Sequence, residues 1–180
     1  MPQTSAIDKV FERTRVPLTL VDAHDEEFAL LRVSDSFCEM SGYDRADCIG
    51  RNCRFLQGED VQQPGRFVLR EALQAGADVQ VILRNYTRAG KAFDNLIFVH
   101  HIRDLYGKVV YVMGSQFVIR DRESADSLDR HLNALNQGIT VLAKTDQTVQ
   151  INVKRQISAS TSAMLHSAVL QDRLAVLAGR

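Results

Sequence analysis

The chain has 180 residues, 45% of them apolar and 24% charged, and its 22 basic side chains balance 22 acidic ones. That length accommodates one domain with an extension or one larger domain, and zero net charge argues against electrostatic capture of nucleic acid or acidic membranes, which takes a strong basic footprint. Cys38, Cys48 and Cys53 form no disulfide framework or zinc-type spacing, and neither a leader peptide nor a membrane-length apolar run stands out, so the chain reads as a soluble cytoplasmic protein with no metal and no membrane partner.

In chain order, Ser5 to Thr14 predicts a short helix with Ile7, Val10 and Phe11 on one face and Ser5 as its N-cap. Pro17 ends it, and Leu18 to Val21 and Phe28 to Val33 read as two short strands around a polar turn. Ser34 to Met40, closed by Gly42, and Arg45 to Ile49 read as short helices, followed by a helical turn near Asn52 to Gln57. Pro64 suits the first turn of a helix over residues 65–75, with Phe67, Val68, Ala72 and Leu73 apolar, and Gly76 terminates it. Three longer strands follow: one from Val79 through Asn85, one from Phe93 to Ile102 and one from Val109 to Ile119, joined by tight turns as an antiparallel meander. The sum is an α+β chain with a five-stranded antiparallel sheet and small helices on one face. Adjacent strand histidines, His100 and His101, point to opposite faces and cannot readily ligate one metal.

Beyond Ile119 the pattern becomes helical. Leu128, Leu132, Leu135, Ile139 and Leu142 make a two-heptad apolar seam, with Gly138 inside it as a weak point. A second helix is predicted over about Val149 to Ala178. The seam reads most simply as a homodimerisation element; the alternative is that these helices cap their own sheet.

The string Gly50-Arg51-Asn52-Cys53-Arg54-Phe55-Leu56-Gln57 sets one thiol among side-chain amides and guanidinium groups. Flanking arginines favour a thiolate or bind an anion, and Asn52 and Gln57 each offer a donor and an acceptor to a flat heterocycle. Elsewhere, Arg70 taken alone reads as a solvated helix charge, Asn85 and Asn95 either as strand-end residues facing water or as buried amides that need a partner, and Gln116 as an outward strand position.

Residue for residue, that string resembles the signature of the LOV (light, oxygen, voltage) flavin photoreceptors of the PAS superfamily, and the resemblance extends over about residues 18–119. It implies a PAS fold at residues 17–121, with a helical cap at 1–16 and a helical signalling extension at 122–180. It also implies a bound FMN, with FAD able to occupy the same site. Arg54 and Arg70 would hold the phosphate, while Asn52, Gln57, Asn85, Asn95 and Gln116 would orient the ring. Cys53 would be the photoreactive residue, bonding flavin carbon C4a reversibly in blue light while ring nitrogen N5 gains a proton. Val21, Ile97 and Val112 depart from the commoner threonine and phenylalanines of the family at wall positions but keep the pocket apolar.

The implied role is a blue-light sensory switch and not an enzyme, acting through dimerisation or through a downstream signalling partner that the sequence does not identify. Rival readings are a flavin-dependent enzyme, a non-photoactive PAS-type ligand-binding module, and a light-regulated DNA-binding protein.

Overall fold

The computed structural model describes residues 6–104, 106–119, 130, 131, 133–135 and 137. Helix α1 (Ala6–Arg13) leads into strands β1 (Leu18–Asp22) and β2 (Leu30–Val33). Helices α2 (Asp35–Ser41) and α3 (Arg45–Cys48), a 3-10 turn (Cys53–Gln57) and helix α4 (Pro64–Ala75) come next. Strands β3 (Val79–Tyr86), β4 (Ala92–Arg103) and β5 (Val109–Ile119) complete the sheet. Its order is β2-β1-β5-β4-β3, and every neighbouring pair is antiparallel. The expected five-stranded α+β architecture is therefore present, and no described helix is long and apolar enough to cross a membrane.

Strand alternation gives the sheet two apolar faces. On the front, Val21, Val99 and Val112 pack with Leu30, Phe37, Cys48 and Leu56 from the β2–α4 region. On the back, Leu18, Leu20, Ile102 and Met113 pack against Val10 and Phe11 of α1 and against Leu135. Residues 130, 131, 133–135 and 137 are helical, and His131 lies over Phe98 and Phe117 with ring centroids 6.0 and 5.2 Å away. Leu135 belongs to the predicted heptad seam, and it is buried in the chain's own core. The other seam positions, the second predicted helix and the Ser5 cap lie outside the described residues.

One departure from the sequence reading has a local cause. Strand β2 begins at Leu30 and not at Phe28, because the Asp25 carboxylate accepts from Glu27 N and Ala29 N, and Phe28 takes a left-handed φ of 51° in the resulting turn. On α4, Leu69 and Leu73 face the core, while Phe67 and Val68 are exposed. Helix α4 sits close on β3 because Gly65 allows it: a Cβ there would meet Ile82 O at 2.6 Å.

Ser34 joins front and back. Its hydroxyl accepts from Leu18 N at 2.9 Å and Phe37 N at 3.2 Å, and it donates to Val16 O at 3.1 Å. It thereby caps α2 and fixes the start of β1. Replacing Ser34 with Ala strands buried backbone groups, and urea unfolding should show a loss of about 2 kcal/mol with an unchanged slope.

His131 supplies a pH test of the back-face contact. Burial pushes its imidazole down to about 4 from the ordinary 6.5. The undocked state therefore binds the proton more readily. The contact has its full strength above about pH 6.5 and weakens as pH falls toward 4, by at most about tenfold per pH unit. Amide exchange around Phe98 and Phe117 should accelerate over that window in the parent and much less in His131→Phe.

Candidate functional site

Residues of all five strands, the 3-10 turn and α4 enclose a cavity of about 710 Å³ of empty space, counted to its open mouth. Small-molecule sites commonly occupy roughly 300–1,000 Å³. Its floor is the sheet. Alternation brings Thr19 and Val21 from β1, Leu83 and Asn85 from β3, Asn95, Ile97 and Val99 from β4, and Val112, Gly114 and Gln116 from β5 onto one surface. Leu69 and Leu73 of α4 form an apolar wall, with Phe28 and Leu30 adding to the lining.

The reactive string closes the cavity opposite this floor. Asn52 is the cap of the 3-10 turn: its Oδ1 accepts from Arg54 N at 2.9 Å and its Nδ2 donates to Glu27 O at 2.5 Å. The bridge between Ala29 and Asn52 ties the turn to the sheet edge. Asn52, Cys53, Arg54 and Gln57 all line the cavity, and Gln57 is buried. Arg54 Nη2 donates to Glu27 at 3.1 Å in a pair exposed on both sides, worth little in free energy and easily exchanged for another anion.

Of the two roles open to the arginines beside Cys53, stabilising a thiolate or binding an anion, the first is not met. Burial pushes its thiol up to about 12, and neighbouring Cys48 adds to the rise. The Arg54 guanidinium, turned toward Glu27, does not offset this. Cys53 therefore holds its proton at neutral pH.

The floor carries polar groups that the apolar walls do not satisfy. Asn85 and Asn95 are buried on adjacent strands, and Asn95 Nδ2 donates to Asn85 Oδ1 at 2.9 Å. Asn95 Oδ1 has no donor. On β5, Gln116 Nε2 donates to Thr19 Oγ1 at 3.3 Å, and Gln116 Oε1 is buried without a partner. These amides do not face water at strand ends. Such groups call for a ligand edge that offers hydrogen bonds.

All the residues singled out from the sequence line the cavity except Arg70, which stands exposed on α4 one residue beyond the lining Leu69. Thr19 escaped the sequence reading. Its signal was alternation: it lies two residues before Val21, which the family pattern had already placed on a wall. Among the described residues no group of His, Cys, Asp and Glu side chains could hold a metal ion. His100 and His101 instead flank one carboxylate, with Nδ1 atoms 3.7 and 3.3 Å from Asp78.

Known proteins resemble this chain in sequence and fold. A family described as PAS domain matches residues 18–123. A blue-light-activated histidine kinase of Rhizobium johnstonii is 28% identical over 168 residues, covering 93% of this chain and 48% of its own length. Phototropin-2 of Oryza sativa subsp. japonica is 32% identical over 130 residues, covering 72% of this chain and 14% of its own length. The chain thus spans half or less of these curated relatives. The crystal structure of a Rhodobacter sphaeroides LOV protein superposes with a TM-score of 0.81 at 29% identity, covering 93% of each chain. A variant of RsLOV gives 0.75 at 33% identity, covering 93% of this chain and 99% of its own. The chain belongs to the PAS family, and within it to the LOV blue-light photoreceptors.

Proposed function

We propose that the cavity binds a flavin, FMN in preference to FAD, and that Cys53 bonds it reversibly under blue light. The observation that carries this reading is a thiol lining the same cavity as a floor of buried amides with unpartnered oxygens. The residues fit such a ligand: Asn85, Asn95 and Gln116 offer donors and acceptors to its polar edge, and Val21, Leu69, Ile97 and Val112 supply apolar walls. A bound flavin supplies blue absorption and an excited ring whose C4a carbon accepts a thiol.

Cys53 contributes both sulfur and proton. Its S–H group would supply the sulfur and the proton that the excited ring takes up together, and would receive both back in the dark. A thiol held neutral needs no outside base for this, no net redox partner is consumed, and the cycle is a switch without turnover. Arg54 would leave Glu27 for the phosphate. Arg70 would act at the mouth, where its exposure leaves it free to reach a phosphate in solvent. Asn52 would hold the reactive turn in place more than it reads the ring, since its amide is engaged by Glu27 O and Arg54 N.

The sensor unit of this reading is residues 17–121, capped by 1–16, with output through 122–180 in the cytoplasm. Homodimerisation would use the seam, and Leu135 must then leave its own core. Other signalling partners would read the same release.

Cys53→Ala and Cys53→Ser should still bind flavin and be yellow, but lose reversible blue-light bleaching. Bleaching that persists in either removes Cys53 as the bonded residue, and a colourless parent favours a non-photoactive PAS module. Light scattering of the parent in dark and light should give different mean masses; equal masses remove the dimer switch.

A further inference from the structure

Thr19 is 5% exposed on β1 and touches the Gln116 amide. Its hydroxyl accepts from Gln116 Nε2 at 3.3 Å and donates to Gly114 O at 3.4 Å. Thr19 and Gly114 are register partners across β1 and β5. A Cβ on residue 114 would come within 2.6 Å of Thr19 Oγ1 and 3.1 Å of Gln116 Nε2. A glycine therefore stands where any side chain would push the hydroxyl and the amide apart.

The Gln116 amide has two ends and two orientations, and a hydroxyl has one donor and can also accept. With Oε1 free, Nε2 donates to Thr19 and the Thr19 proton stays on Gly114 O. That is the arrangement observed. With the amide turned over, Oε1 faces Thr19, whose proton must leave Gly114 O to reach it. The first orientation retains one hydrogen bond more than the second. It offers the cavity an acceptor, which suits a ligand edge that has gained a proton; the second offers a donor.

We propose that Thr19 is a positioning residue that holds the inner end of the Gln116 amide in both orientations and favours the one presenting Oε1 to the ligand. The proposal rests on the flavin reading above and deepens it: Thr19 prolongs the light state. It also gives the turning amide a mechanical exit. Thr19 lies on β1, and Gln116 N donates to Pro17 O at 3.0 Å just before that strand, so both contacts lead toward α1.

The test compares Thr19→Val, which keeps the shape and removes the hydroxyl, with Thr19→Ser, which restores it. Dark recovery of flavin absorbance should run roughly 2- to 10-fold faster in Thr19→Val, as expected for one lost neutral hydrogen bond. Thr19→Ser should lie near the parent. In the flavin-free proteins, the isotope-labelled side-chain amide resonance of Gln116 should move in Thr19→Val and return in Thr19→Ser, which a merely structural role would not produce. Thr19→Ala serves the same comparison if the valine variant misfolds. Parental recovery and an unmoved amide resonance in the hydroxyl-free variants overturn the role of Thr19 and leave the flavin reading standing. A parent that binds flavin but does not bleach overturns both.

Discussion

A buried amide oxygen without a donor costs about 1–3 kcal/mol, and the floor of this sheet carries two of them, at Asn95 and Gln116. A fold that existed only to bury apolar surface would place valines there, as its neighbours Val99 and Val112 show. The cost explains the rest of the front face. Leu69 and Leu73 of α4 and the capped 3-10 turn enclose the amides from the side opposite the sheet, so that whatever enters meets them away from competing water. The same enclosure desolvates Cys53. One constraint, a dry polar floor, therefore sets both the recognition surface and the protonation state of the thiol above it.

The neutral thiol changes how the reactive string should be understood. Its arginines look, in sequence, like groups that activate a nucleophile by lowering its pKa. In space, Arg51 lies over the Phe55 ring, 4.5 Å from its centroid, and Arg54 pairs with Glu27. The charge is turned outward and the sulfur inward. Under the proposed photochemistry, reactivity would come from the ligand's electronic state and from proximity rather than from a standing thiolate.

Much of this was legible in the sequence because its signals were strong and local. Period-two alternation and turn residues located the three long strands, Pro64 and Gly76 bounded α4, and the Asn52 to Gln57 string pointed to the family. What failed to show depended on tertiary choice. Phe67 and Val68 are as apolar as Leu69, but Leu69 packs on the core and follows Gly65, which approaches Ile82 O, by one helical turn. Asp25 drew Phe28 out of its strand by offering its carboxylate to two backbone amides. Thr19 looked like an ordinary strand residue because its role exists only opposite Gly114 and Gln116, almost a hundred positions later. The protonation state of Cys53 depends on burial in the same way, and burial outweighs its sequence neighbours.

Leu135 carries a consequence that reaches beyond the cavity. It is 2% exposed, packed with Val10, Phe11 and Met113, and it is also one of the apolar positions of the heptad seam. One side chain cannot fill two interfaces, so under the proposed seam-mediated dimerisation, docking on the chain's own sheet and self-association through that position would be linked equilibria. Whatever tightens the first must weaken the second by the same factor, and the reverse holds equally. On that proposal, a tighter back-face core would make a more stable monomer and a poorer transmitter.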